Sequence, residues 1–214
     1  MEIKKYMSAP PVTISPEITI PAARALLKSH HFRHLPVVDK EGGLLGMVTD
    51  RDLRSAYPSS VLDQDNRQHL AELEHKPVSA IMSQAVHTLS TEASIDDALL
   101  LLDREQVGAL PVVDGQNRVL GIFSVRDLMR AYRNLFGLGE RGSAMLVIID
   151  DGSPRPLSRL GAALEAADLH FTRLLKVKGQ KAGEENLIYL RVNTCNLPAV
   201  HKVLAAAGFK EKTW

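Results

Sequence analysis

Displacing the 214-residue sequence against itself by 75 positions brings two copies of one unit into register without a gap. Met7-Ser8 falls on Met82-Ser83, Thr13-Ile14-Ser15 on Thr88-Leu89-Ser90, Ile20 on Ile95, Ala23 on Ala98 and Leu26-Leu27 on Leu101-Leu102. Leu35-Pro36-Val37-Val38-Asp39 recurs as Leu110-Pro111-Val112-Val113-Asp114, and Leu45-Gly46 as Leu120-Gly121. Thr49-Asp50-Arg51-Asp52-Leu53 recurs as Ser124-Val125-Arg126-Asp127-Leu128. A short repeated unit cannot bury its apolar face alone, so the copies must stack.

Within each copy the periodicity changes in a fixed order. A short strand (residues 12–14 and 87–89) leads into a helix opening near Thr19 or Ser94, where Ser94-Ile95-Asp96-Asp97 has capping-box form and Pro21 suits a first helical turn. Two β-branched runs follow, 35–38 and 44–49, joined by the turn chemistry of Asp39-Lys40-Glu41-Gly42-Gly43. A second helix opens at Thr49 or Ser124. The unit is β-α-β-β-α, of mixed α/β (α+β) class, and two units are expected to pack as a pseudo-twofold pair. Residues 1–57 form the first repeat and 77–135 the second; the polar stretch 58–76 connects them, with a helical segment over 68–74.

Composition removes several function classes. Twenty-six Lys+Arg against 25 Asp+Glu leave no field to favour nucleic acid or a membrane surface, so a charged ligand must be held locally. The single Cys195 excludes an intrachain disulfide framework and a thiolate zinc cluster. No apolar run is long enough to span a bilayer, and the start Met1-Glu2-Ile3-Lys4-Lys5 has no signal-type apolar region. A soluble, cytoplasmic protein is expected.

The chemistry concentrates where strand meets helix. Thr49-x-x-Asp52 and Ser124-x-x-Asp127 are capping boxes, a structural arrangement at many helix starts. Arg51 and Arg126 stand inside them, so hydroxyl, N–H groups and guanidinium converge where an anion would sit. A carboxylate beside such a site can accept from two adjacent ribose hydroxyls.

The order L-P-V-V-D, then L-G-h-h-[TS]-x-R-D-L, twice in tandem, resembles the cystathionine-β-synthase (CBS) domain pair over residues 1–135. The resemblance implies two clefts that receive AMP, ADP, ATP, S-adenosylmethionine or related dinucleotides, with no cofactor required. It places Asp52 and Asp127 on ribose, and Thr49 and Ser124 near ribose or phosphate. Thr13 and Thr88, with Arg33-His34-Leu35 and Gly108-Ala109-Leu110, would border adenine. Gly108 at the place of Arg33 departs from strict symmetry. Counting Arg51, Arg54, Arg33, His31 and His34 near Asp52, against Arg126 and Arg130 near Asp127, predicts that the Asp52 cleft prefers ligands with more phosphates.

Two other patterns carry less. His30 and His34 have the i, i+4 spacing of metal ligands, but Leu35 begins a strand and no carboxylate or cysteine lies close in sequence, so no metal is expected. Gly137-Leu138-Gly139-Glu140-Arg141-Gly142 matches G-x-G-x-x-G, yet follows a helix and precedes a strand, the reverse of a dinucleotide fingerprint. Residues 136–143 read as a linker.

From 144 to 214 the pattern is strand (145–149), helix (156–167), strands (172–178 and 186–192), helix (197–207) and a terminal segment at 209–212. This β-α-β-β-α-β order implies a ferredoxin-like sandwich with an open sheet face or edge, hence a homodimer or higher oligomer. It resembles an ACT domain, which binds amino acids where a glycine follows the first strand; here that place holds Arg155. The whole is similar to acetoin-utilisation B-type proteins. No catalytic constellation is present, and Asp150-Asp151 reads as a solvated turn. The expected function is regulatory binding of an adenosine nucleotide, with an unidentified regulated protein as a further partner. The alternative is an amino-acid sensor acting through the last domain.

Overall fold

The computed structural model describes residues 1–56, 73–181 and 183–213. Two compact units divide the chain, Met1–Ala131 and Tyr132–Trp214. Most of the connection expected at 58–76, with the greater part of its helical segment, lies outside the described residues.

In the first repeat Thr19 caps α1 (Ile20–His30) by accepting the Ala22 N–H at 3.4 Å, and His31 ends it in the left-handed region at φ 55°. β1 (His34–Val38) and β2 (Leu44–Thr49) form an antiparallel hairpin. Its turn is held by Asp39 Oδ1, which accepts the N–H groups of Glu41 and Gly43 at 3.0 and 2.7 Å. α2 (Asp50–Ala56) follows without an intervening loop.

The second repeat has the same plan: β3 (Leu89–Ser90), α3 (Ile95–Arg104), β4 (Ala109–Val113), β5 (Val119–Ser124) and α4 (Val125–Leu135). Ser94 forms both halves of the predicted capping box with Asp97. β3 pairs in parallel with β4. The strand expected at 12–14 shrinks to one bridge, Ile14 with Val37. Pro10, Pro11 and Pro16 stand where the second repeat has Ala85, Val86 and Thr91, and a proline has no N–H to extend the ladder.

The repeats exchange their leading segments. Ile3 N–H bonds Ala93 O in the second repeat, while the equivalent Val78 N–H bonds Ile18 O in the first. Val78 accordingly packs in the first repeat's core with Ile20, Leu27, Leu35, Val37 and Leu53. Bridges between repeats come in partner pairs: Glu2 with Ser94 and Thr19 with Pro77, then Ser8 with Ile122 and Met47 with Ser83. Adding 75 to the first-repeat residue of one bridge and subtracting 75 from its second-repeat residue generates the other, and Gly43 with Arg118 maps onto itself. The arrangement is therefore twofold in its contacts as well as its sequence.

In the second unit β6 (Ala144–Ile149), α5 (Pro156–Ala166), β7 (Phe171–Val177), β8 (Leu187–Val192), α6 (Leu197–Ala206) and β9 (Lys210–Glu211) build an antiparallel sheet in the order β7-β8-β6-β9. Ile148, Ile188, Leu190 and Val192 bury against Leu160, Leu164, Val200 and Leu204 of the two helices. The opposite face carries the cross-strand rows Val147–Tyr189–Leu175 and Ile149–Leu187–Val177. Asp150 is not the solvated turn residue expected: it is buried, and its Oδ2 lies 2.5 Å from Lys176 Nζ. It sits at the end of β6 beside a strand that supplies a counter-charge, which compensates the cost of desolvation.

Candidate functional site

The two strand-to-helix junctions have the same geometry. Thr49 donates to Asp52 Oδ2 from its backbone N–H and its hydroxyl, at 2.8 and 2.7 Å. Ser124 donates to Asp127 Oδ2 at the same two distances. In each junction one carboxylate oxygen, Oδ2, takes both bonds. Asp127 Oδ1 takes a further bond from Arg130 at 2.7 Å, whereas no protein group bonds Asp52 Oδ1 among the described residues. Arg130 also reaches the Tyr6 carbonyl.

Each junction opens on a cavity. The first, of about 730 Å³, is lined by Thr49, Arg51, Asp52 and Arg54, by Ser83 and His87, and by Gly108 and Ala109. The second, of about 660 Å³, is lined by Ser124, Arg126, Asp127 and Arg130, by Ser8 and Val12, and again by Gly108 and Ala109. Both volumes lie within the range of small-molecule sites. The exchanged leading segments supply the far walls, so a cavity holds the helix start of one repeat and residues 83–87 or 8–12 of the other. Gly46 and Gly121 permit this. A Cβ on Gly46 would meet the Ser83 carbonyl oxygen at 2.8 Å, and one on Gly121 the Ser8 oxygen at 3.1 Å.

Ten of the twelve expected site residues line a cavity, namely Arg33, His34, Thr49, Arg51, Asp52, Gly108, Ala109, Ser124, Arg126 and Asp127. Thr13 and Thr88 line neither; their neighbours Val12 and His87 do. Extended backbone turns successive side chains to opposite sides, which separates 13 from 12 and 88 from 87.

The expected charge asymmetry also changes. Arg33 and His34 line both cavities, and His31 lines the Asp127 cavity alone. Arg54 is paired with Asp50. The segment after α1 reaches the boundary between the repeats and serves both cavities rather than the first repeat's own alone, so the tally no longer favours Asp52. Burial, reinforced by Arg33, holds the His34 imidazole pKa below the ordinary histidine value, with Asp52 opposing.

His30 is the last residue of α1 and stacks on Phe32 at 5.2 Å, so His30 and His34 do not share a helical face. Among the described residues no three His, Cys, Asp or Glu side chains are grouped to hold a metal ion. No described helix is long and apolar enough to cross a membrane. Gly137, Gly139 and Gly142 all have positive φ and lie between α4 and β6, a turn rather than a phosphate loop.

Known proteins agree with this geometry. A CBS domain-containing protein of Dictyostelium discoideum is 36% identical over 127 residues, covering 59% of this chain and 88% of that one. L-aspartate semialdehyde sulfurtransferase of Methanocaldococcus jannaschii is 28% identical over 130 residues, covering 61% of this chain but 23% of the enzyme. The chain thus spans about a quarter of that enzyme. Among solved structures, the CBS domain pair of protein MJ0100, in complex with 5′-methylthioadenosine and S-adenosyl-L-methionine, matches with TM-score 0.53 and 29% identity, over 63% of this chain and 98% of that one. CBSX2 from Arabidopsis thaliana in complex with AMP gives 0.53 and 25%, over 63% and 97%. A structure described as a candidate acetoin utilization protein (AcuB) from Vibrio cholerae gives 0.55 and 25%, over 65% and 96%. The CBS domain model itself matches residues 3–59 and 78–134, the two repeats in turn. The chain belongs to the CBS-domain family, with its repeats forming a tandem CBS pair.

Proposed function

We propose that this chain is a regulatory, non-catalytic protein that holds an adenosine-containing nucleotide, AMP, ADP, ATP or S-adenosylmethionine, in the two cavities of its CBS pair. One observation carries the reading: each cavity brings together a hydroxyl, a carboxylate that this hydroxyl fixes through one of its two oxygens, and an arginine from the same helical turn. These are the groups that ribose and phosphate need. The complexes of MJ0100 and CBSX2 with adenosine compounds support it. Thermal-shift measurement with AMP, ADP, ATP and S-adenosylmethionine tests it. Stabilisation is expected for at least one, about 2.7 kcal/mol at a hundredfold excess over Kd, and is lost in Asp52→Ala plus Asp127→Ala. A folded double variant that responds like wild type overturns the assignment. Turnover of ATP with magnesium by pure protein would overturn the non-catalytic reading.

The second unit supports a second reading, an ACT-like domain that dimerises the chain or senses an amino acid. Its element order agrees, and Arg155 adopts the left-handed conformation, φ 51°, at the place where an ACT domain has glycine. The glycine of the amino-acid-binding pattern is thus replaced here, which favours the dimerising role. An amino-acid panel in the same assay separates the two. We place the domain limits at 1–57, 77–135 and 144–214, with connections at 58–76 and 136–143, in a cytoplasmic homodimer.

A further inference from the structure

We propose that the two CBS cavities share one phosphate-neutralising pair, Arg33 and His34, so that an anionic nucleotide in one cavity weakens binding of a second in the other; the inference rests on the nucleotide reading above. Arg33, His34, Gly108 and Ala109 line both cavities. The repeat relates Arg33 to Gly108 and His34 to Ala109, so at these positions the second repeat supplies no cation. It supplies room instead. A Cβ on Gly108 would stand 3.0 Å from both Cε1 and Nε2 of His34, so the imidazole lies against the second repeat's backbone, between the cavities.

The other cations are allocated differently. Arg51 serves only the first cavity and Arg126 only the second. Arg54 is held by Asp50, Arg130 by Asp127, and His87 faces Glu105 at 3.2 Å. No ion pair engages the Arg33 guanidinium among the described residues. A fixed set of N–H donors satisfies one phosphate group well or two poorly. The first anion therefore draws the pair, and the second meets a cavity with fewer donors beside a like charge. An adenosine thioether without phosphate makes no demand on the pair.

The test is titration calorimetry of the full chain with AMP and, separately, 5′-methylthioadenosine. Wild type is compared with Asp52→Ala and Asp127→Ala, each of which disables one cavity; the Asn versions replace any that circular dichroism shows to be unfolded. Wild type should bind its second AMP at least about tenfold more weakly than its first, the scale of one charge-assisted hydrogen bond. Each single-cavity variant should bind one AMP about as tightly as the wild-type first step. Arg33→Ala with His34→Gln should bring the two AMP steps together, and methylthioadenosine should show no such gap in wild type. A weak AMP step that persists in a single-cavity variant makes the difference intrinsic to that cavity and overturns the coupling, as do equal AMP steps in wild type. Binding of neither compound overturns the nucleotide reading itself, and the coupling with it.

Discussion

Gly46 and Ser83 meet backbone to backbone, with Met47 and Ser83 exchanging N–H to carbonyl bonds at 2.9 and 3.0 Å beside them. The leucine-glycine step of the repeated motif is thus a contact between repeats, and the same pair of bonds joins Ser8 and Ile122.

Gly46→Ala should destabilise the fold. Its Cβ would stand 2.8 Å from a carbonyl oxygen that cannot retreat without stretching both bonds. A loss of about 1–3 kcal/mol is expected, read as a lower urea midpoint at unchanged slope. Gly121→Ala should cost less, because its nearest neighbour is the flexible Met7 Sδ at 2.8 Å and the Ser8 oxygen stands at 3.1 Å. Equal losses would mean the two contacts are equally rigid.

The two site aspartates should differ in their structural burden. Asp127 is 4% exposed and serves Ser124 and Arg130, whereas Asp52 is half-buried and serves Thr49 alone. Without nucleotide, Asp127→Ala should cost about 1–3 kcal/mol through the donors it strands, and Asp52→Ala less. Equilibrium unfolding of the two apo variants decides this. The reverse order would show that the Arg130 contact contributes nothing.

Much of this organisation was legible in the sequence. The repeat, both capping boxes and the hairpin turn follow from local residue chemistry, which is why Ser94 with Asp97 and Asp39 with Gly43 stand where expected. What local chemistry cannot carry is which copy completes which cavity. Val78 reads as the start of the second repeat, yet it packs in the first repeat's core; His31 reads as a neighbour of Asp52, yet it lines the Asp127 cavity. Both outcomes depend on the exchange of leading segments, set by packing between the repeats. The burial of Asp150 escaped for a similar reason, since its partner Lys176 is 26 residues away on another strand.

Acidification should act through His34 before the carboxylates. The folded imidazole has its pKa below the ordinary 6.5 because of burial and Arg33, with Asp52 opposing. Between the folded and unfolded values the unfolded chain binds more protons, so apo stability should rise with pH through that window and fall as pH drops below about 6.5. The depressed pKa values of Asp97 and Asp114 act lower, their stabilisation being lost only as pH falls through the folded carboxylate values. A phosphate beside His34 favours its charged form, so AMP affinity should increase as pH falls from about 8 to 6.5, above the phosphate's own pKa of about 6. His34→Gln should flatten both profiles, measured by thermal melts and calorimetry across that range. An unchanged AMP profile in this variant would place the titrating group elsewhere.

The second unit should pair with its counterpart on another chain through the sheet face away from its helices. Cross-strand partners share a face, which puts Val147, Tyr189 and Leu175 in one row and Ile149, Leu187 and Val177 in the next. None belongs to the buried helix-side cluster, and Leu175 and Val177 are 43% and 37% exposed. Six apolar or aromatic side chains in two adjoining rows form a patch of the kind that marks an interface on a soluble protein. A second copy presents the same rows to be covered, as twofold pairing requires. Light scattering of wild type should give twice the chain mass at micromolar concentration. Leu175→Lys with Val177→Lys should reduce that to the chain mass while circular dichroism stays unchanged, because neither side chain contributes to the core of its own unit. A wild-type monomer at high micromolar concentration removes the pairing altogether, and a variant that remains dimeric moves the interface to another surface, the free edge of β7 being the next to alter.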